Sequence, residues 1–238
     1  MVEFKPIRLT PSVALKEKRL AALLGERDPG EPLAADAIAG AQILGSLELA
    51  GFDFAWDQVV ASRRGEATPG EIEALRRARA AVDPRAPLSV GALLSWHAAT
   101  IGANVGLRST PRERPGGPPV SPPPLIRKRL EFLAHWVESD AGRELSPARQ
   151  GALVLARLVE ILPFEDANGR VSRLAASHLM VRGGARPPIL VGADRPRLEQ
   201  CLQAAFRLST EALVALLDEA AERALDVAIQ ALTNAGGG

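Results

Sequence analysis

The sequence predicts an all-α protein, and its composition and helix signals both indicate this. Long segments are rich in Ala, Leu, Arg and Glu, which are strong helix formers. Segments in which apolar and polar residues alternate, as they do in half-buried strands, are few. With 238 residues, of which 47% are hydrophobic, the chain is long enough to bury a sizeable core without being split.

Start and stop signals delimit four helices. A hydroxyl residue followed by proline opens two of them, at Thr68-Pro69 and at Ser146-Pro147. The second is apolar on most of its sides, so it should be central and nearly buried. It should end at Leu162, because the proline at position 163 disfavours helical geometry in the preceding residue. The predicted spans are 69–82, Ser146-Pro147 to Leu162, 168–182 and 210–233.

A proline-rich segment interrupts the helical pattern between residues 97 and 126. Prolines and glycines are concentrated there, so neither a helix nor a central strand fits. We expect a surface flap, or a short hairpin, over residues 106–124, with disorder as the alternative. The expected organisation is an N-terminal extension over residues 1–34, a helical domain over 35–215, and a C-terminal helix with a glycine tail over 216–238.

The charges and the single cysteine restrict the kinds of partner and compartment. The formal net charge is +1 and the arginines are spread along the chain, so nucleic-acid and membrane-surface binding are not indicated. No segment contains the ~20 apolar residues that a membrane-spanning helix needs. Cys201 is the single cysteine and lies in an apolar helical pattern, so it should be an inert packing residue in a reducing compartment. We expect a cytoplasmic protein.

The segment from Leu162 to Arg173 is the most informative part of the sequence. A buried helix ends there, an acidic turn follows, and a new helix begins at Asn168-Gly169. A helix start beside a glycine presents backbone N–H groups to an anion, and two arginines three residues apart can add charge-assisted bonds to phosphate. The alternative is structural, since Asn-Gly is a common turn and the preceding carboxylate could cap the helix.

This segment resembles the signature of the Fic family, HPFx(D/E)GNGRxxR. Seven of its nine fixed positions agree, whereas Leu162 replaces the histidine and Ala167 replaces the first glycine. The upstream stretch around Leu94-Ser95-Trp96-His97, together with the proline-rich segment, is similar to the helix and target-docking flap of that family. The matching positions are Pro163, Phe164, Asp166, Asn168, Gly169, Arg170 and Arg173.

The resemblance implies an all-α Fic-type core of about six to eight helices with a proline-rich flap. It also implies that the loop binds ATP with magnesium and that the nucleotide's α-phosphate is transferred to a hydroxyl of a protein target docked on the flap. The implied roles are Asp166 as the magnesium ligand, Asn168 and Gly169 as the anion nest, Arg170 and Arg173 as phosphate ligands, and Phe164 as a core anchor.

The catalytic base cannot be carried over from the family, because leucine has no titratable group. Glu165 is one candidate replacement, although its default role is a solvated turn carboxylate. Glu48 is another, because residues 44–51 resemble the inhibitory helix of some Fic proteins, in which a glutamate pairs with the second arginine. Leu44 and Leu49 depart from that pattern. The three histidines suit other roles: His178 a core position, His135 a solvated one and His97 a structural hydrogen bond under the flap.

Three functions therefore remain open at the level of the sequence. The first is a degenerate Fic protein that binds a nucleotide or another phosphate ligand, with adenylyl transfer lost or strongly impaired. The second is an enzyme with altered phosphate-ester chemistry, in which Glu48 or Glu165 handles water. The third is a non-enzymatic scaffold whose flap docks a peptide. The retained loop residues argue against the third, since a site without a ligand has no physical reason to gather them, and the missing base argues against ordinary adenylyl transfer without excluding the second. We rank the three in this order.

Overall fold

The computed structural model describes residues 11–25, 30–103, 105–114 and 117–235. Within these residues the fold is all-α and contains no strand, as predicted. One 3₁₀ turn, Gly192–Asp194, accompanies the helices. The helices are α1 (Pro11–Gly25), α2 (Gly30–Glu48), α3 (Trp56–Arg63), α4 (Gly70–Ala80), α5 (Val90–Ile101), α6 (Pro123–Glu138), α7 (Asp140–Arg143), α8 (Pro147–Ile161), α9 (Asn168–Arg182), α10 (Arg195–Ala205) and α11 (Glu211–Asn234).

The predicted helices are confirmed to within two residues at each end. In α8, the Ser146 side chain accepts a hydrogen bond from the Arg149 N–H at 3.4 Å, as expected of a hydroxyl cap. The described residues form eleven α-helices, so the expected number of six to eight is too low. Two of the additional helices, α3 and α7, have only eight and four residues, and such short helices are stabilised by packing more than by sequence preference.

The core is built around α8, whose most extensive partner is α9. One cluster joins α8 and α9 to α5 and α6, and a second joins them to α10 and α11. A third cluster joins α1, α2 and α11. The domain boundaries expected at residues 34 and 215 both fall inside helices, α2 and α11, which pack on each other. The first and last helices of the described residues, α1 and α11, thus pack together with α2 in the third cluster, and the division into domains stays a prediction.

The proline-rich flap has no regular secondary structure in its described part, residues 105–114 and 117–122. The irregular flap that the sequence predicts is therefore found, whereas the alternative of a hairpin is not seen there; Pro115 and Gly116 lie outside the described residues. None of the helices in the described ranges is both long enough and apolar enough to cross a bilayer.

Candidate functional site

Helix α8 ends at Leu162, whose backbone is left-handed with φ 53° and ψ 63°. Its N–H still donates to the Leu158 carbonyl at 3.0 Å, so the residue closes the last turn of the helix. A left-handed conformation costs an L-residue about 1–2 kcal/mol, so the surrounding structure must hold it in place. The chain then turns at Pro163 into the loop that leads to α9.

The loop after Leu162 is fixed by one buried ring and one amide side chain. Phe164 is fully buried and stacks on His97, with ring centroids 3.9 Å apart. The Asn168 side chain accepts from the Phe164 N–H at 2.9 Å and donates to the Phe164 carbonyl at 2.8 Å. Phe164 is thus a core anchor, and the amide of Asn168 closes the loop while its backbone begins α9.

The first turn of α9 follows a second left-handed residue, Ala167, with φ 60° and ψ 11°. No side chain caps this helix start. The N–H groups of Asn168, Gly169 and Arg170 are the first three of the helix, so they have no intrahelical acceptors. Such groups carry the positive end of the helix dipole and are able to donate to an anion.

Two arginines project from this turn without strong acidic partners. Arg170 is mostly buried, and its Nη2 lies 3.5 Å from the Asp166 carboxylate. Arg173 donates from Nε and Nη2 to the hydroxyl and carbonyl of Ser46 in α2, at 3.1 and 2.7 Å. Arg173 forms no ion pair with any described residue. Burial first, and then the charges of Arg170 and Arg195, lower the pKa of Arg173 to about 9.

Asp166 lies at the mouth of this turn. One of its oxygens accepts from the Ala167 N–H at 2.5 Å, and its side chain is 83% exposed. The described residues contain no group of three or more acidic, histidine or cysteine side chains that would hold a metal unaided. Magnesium, however, commonly uses one or two carboxylates together with phosphate oxygens and water. Asp166 fits that limited role.

Comparison with known proteins agrees with this geometry. The model of the Fic/DOC family matches residues 87–180. This range contains α5, α6, α8, the loop after it and most of α9. Over this segment, the chain is similar to the Fic/DOC family. A protein adenylyltransferase Fic of Drosophila grimshawi is 32% identical over 110 residues, which is 46% of this chain and 22% of that relative. The counterpart of Drosophila melanogaster is 31% identical over the same length.

Solved Fic structures share the fold over nearly the whole chain. A Fic-domain-containing signalling protein from Bacteroides thetaiotaomicron has a TM-score of 0.77 at 19% identity, covering 93% of this chain and 98% of that one. Fic-1 from C. elegans, residues 134–508, has a TM-score of 0.70 at 19% identity, covering 94% of this chain and 74% of that one. Identities this low establish the fold alone. The matched segment is only about a fifth as long as the Drosophila relatives.

Glu165 of the Fic loop is tied to the flap. Its carboxylate accepts from the N–H groups of Ser109 and Thr110, both at 3.2 Å, and from the Thr110 hydroxyl at 2.7 Å. It also pairs with Arg112 at 3.1 Å. The hydrogen bond from Thr110 first, and then the Arg112 and backbone donors, lower the pKa of Glu165 to about 2. Glu165 is exposed, as predicted, but it is also bonded to the flap and so anchors it; its role as a base stays a prediction.

We expect Glu165→Gln to loosen the flap, because an amide cannot accept all the donors that the carboxylate accepts. Trypsin should then cleave after Arg112 faster than in the unaltered protein. The matched control is Glu199→Gln, an exposed glutamate of α10 whose replacement leaves the residues that flank the cleaved bond unchanged. Equal cleavage rates for the two variants would contradict the anchoring role.

The same contacts predict a pH dependence. Since the folded pKa lies below the ordinary 4.5, the anchoring contribution of Glu165 is complete above about pH 4.5 and is lost as the pH falls toward 2.

Glu48 is the last residue of α2, and its contacts differ from those expected. Its carboxylate accepts from the Gly192 N–H at 2.7 Å, and its carbonyl accepts from Arg195 at 2.7 Å. The expected pair with Arg173 is not formed, because Ser46, half a turn earlier in α2, takes that arginine instead. Glu48 thus joins α2 to the 3₁₀ turn, and its inhibitory or water-handling role stays a prediction.

Arg108 is a structural residue of the site that its sequence context did not reveal. It is 2% exposed, and its guanidinium donates to the carbonyls of Leu162, Thr110 and Ser121 at 2.9, 2.5 and 2.6 Å. Its N–H donates to the Pro163 carbonyl at 2.8 Å. Arg108 therefore connects both ends of the flap to the end of α8 and holds the left-handed Leu162.

The histidines do not supply a base at the loop. His178 is buried against Trp96, as predicted, and His135 is exposed on α6, as predicted. His97 is 2% exposed, and neither ring nitrogen has a hydrogen-bond partner of good geometry among the described residues, so the structural hydrogen bond expected for it is not found. Burial lowers the pKa of His97, against a smaller opposite effect from the Asp166 and Val105 backbones. A neutral stacking role fits these contacts.

Proposed function

We propose that this Fic protein binds a nucleotide by its phosphates at the start of α9, and that conventional adenylyl transfer is lost or strongly impaired. The observation that carries the proposal is the unbalanced positive charge there. Three helix-start N–H groups, Arg170 and Arg173 belong to one turn. Among the described residues, Asp166 is the one carboxylate paired with either arginine, and its side chain is 83% exposed. Each arginine near the positive end of a helix costs about 0.3–1 kcal/mol unless an anion is bound.

A nucleotide suits this site better than a single small anion. The Drosophila relatives are named protein adenylyltransferases, and an adenylyl donor is a nucleotide. Phosphate oxygens would bind the N–H groups of Gly169 and Arg170 and the two guanidinium groups. Asp166 would hold magnesium, which neutralises charge on the phosphates when bound. We place this activity in the cytoplasm, since nucleotide is available there and Cys201 is a free thiol.

Impaired transfer follows from the residue at the end of α8. Leu162 cannot accept the proton of a target hydroxyl, and a positioned general base contributes about 10²–10⁴-fold. The contacts of Glu165 and Glu48 support this view, because each carboxylate is already occupied by backbone donors. A protein target would still dock on the flap at residues 106–124, so binding without transfer gives a regulatory role.

Calorimetric titration of ATP with magnesium tests this function. We expect saturable binding to the unaltered protein and a loss of about 1.5–3 kcal/mol in Arg170→Ala, the range for charge-assisted hydrogen bonds. Arg127→Ala, which removes an exposed arginine of α6, is the matched control and should bind as the unaltered protein does. Absence of binding by ATP, ADP and AMP, or equal binding by both variants, would refute the proposal.

A further inference from the structure

A large groove lies between α6 and α8, on a face that the nucleotide proposal does not use. Its volume is about 770 Å³. The apolar side chains that line it come from both helices: Leu125, Phe132, Leu133 and Trp136 from α6, and Leu153 and Ile161 from α8. Leu133 and Ile161 are buried and form the floor. Apolar side chains of both helices therefore line the groove.

The side chains above this floor are unusually exposed for their type. Phe132 is 71% exposed and Leu125 is 44% exposed. They are separated by seven residues, so both lie on the same side of α6, with Trp136 one turn further on. Contiguous exposed apolar side chains of this kind mark sites at which another molecule binds.

The charges around the groove are mostly positive. Lys128, Arg129 and Arg157 line it together with one carboxylate, Glu160, which is paired with Arg157. Arg129 donates to the Ser121 hydroxyl at 2.7 Å, and Lys128 has no acidic partner among the described residues. Two cations are thus left without acidic partners beside an apolar floor, although the whole chain has a formal net charge of only +1.

We propose that this groove binds an amphipathic helix of a partner protein, with an apolar face and acidic flanks. Two packed helices present ridges that accept the side chains of a third helix, and recognition of this kind uses anchors spaced by three or four residues. The apolar side chains of α6 extend from Leu125 to Trp136, about 16 Å along a helix, which matches about three turns of a bound helix. The unpaired cations select acidic residues on its flanks.

The position of the groove gives such a partner access to the Fic loop. Helix α6 begins directly after the flap, and Arg129 contacts flap residue Ser121. Ile161 of the groove floor precedes Leu162. A helix bound there would lie at the base of the flap while leaving the start of α9 free.

Peptide selection on the full-length protein tests the proposal. The probe is a phage-displayed library of 16-residue helical peptides with one fixed Leu/Phe face and Glu, Gln or Lys varied on its flanks. We expect enrichment of glutamate next to the apolar face. The strongest peptide, synthesised and titrated by tryptophan fluorescence, should bind at least about tenfold more weakly to Lys128→Glu and to Phe132→Ser.

Matched variants show whether the effect belongs to the groove. Arg127→Glu reverses a neighbouring charge on α6 that does not line the groove, and Leu15→Ser removes an exposed leucine of α1; both should leave peptide affinity unchanged. No enrichment, enrichment of lysine, or equal losses in the control variants would overturn the proposal. Sedimentation could instead show that the protein is a dimer and that Phe132→Ser dissociates it. This result would also overturn the proposal, since a second copy of the chain would then fill the groove. None of these outcomes depends on nucleotide binding.

Discussion

The double substitution Leu162→His, Ala167→Gly is expected to give self-modification with labelled ATP and magnesium at about 10²–10⁴ times the level of the unaltered protein. The histidine would stand at the end of α8, where it can take a proton from an acceptor hydroxyl. The glycine removes the methyl group from a residue whose φ is 60°, a conformation that glycine adopts without strain. The measurement is the mass increase of the protein after incubation.

Self-modification suits this purpose because it needs no known target and benefits from proximity. The single variants separate the two changes: Leu162→His should restore part of the activity, and Ala167→Gly alone should restore none. If the unaltered protein already modifies itself at the rate of the double variant, another residue acts as the base and the proposed loss of transfer is wrong.

A third change addresses binding without transfer. If both proteins bind nucleotide and neither is modified, Glu48→Gly should be added to the double variant. This substitution removes the carboxylate that joins α2 to Gly192 and would allow α2 to leave Arg173. Activity in the triple variant alone would assign the inhibitory role to the end of α2.

The substitution Arg108→Met is expected to destabilise the protein by about 3–5 kcal/mol, because three carbonyls, one in a buried contact and two in part-buried contacts, lose their donor. Methionine keeps much of the side-chain volume, so the loss reports on hydrogen bonds more than on packing. Chemical denaturation gives the free energy of unfolding. Since those carbonyls belong to Leu162, Thr110 and Ser121, the flap should also become more accessible to protease.

Two further substitutions show whether geometry or charge matters at this position. Arg108→Lys keeps the charge but cannot reach three carbonyls with its single nitrogen, so most of the destabilisation should remain. Arg112→Met removes an exposed arginine of the same flap and should change the free energy of unfolding by less than about 1 kcal/mol. A destabilisation of Arg108→Met no larger than that of Arg112→Met would contradict the role of Arg108.

The helices that carry the site could be predicted because their signals are local. Ser146 with Pro147 opens α8, Pro163 ends it, and α9 has the predicted bounds of Asn168 and Arg182. The start of α9 at Asn168, next to two arginines, follows from these bounds together with the Fic signature. Phosphate binding there remains a proposal.

The contacts that shape the site could not be predicted, because they join residues far apart in the sequence. Arg108 binds Leu162 across 54 residues, and Ser46 binds Arg173 across 127. An arginine next to a proline-rich segment is usually solvated, so nothing local indicated that Arg108 is buried. The flap contacts of Glu165 could not be predicted for the same reason, since its donors lie 53–56 residues earlier in the chain.

The structure of the protein crystallised with ATP and magnesium tests the central claim most directly. We predict phosphate oxygens within hydrogen-bond distance of the Gly169 and Arg170 N–H groups and of the Arg170 and Arg173 guanidinium groups, with Asp166 facing the metal. The α-phosphorus should lie beside Leu162, with no protein base next to it. A nucleotide bound elsewhere, or a start of α9 filled by protein side chains in the presence of saturating nucleotide, would contradict the account.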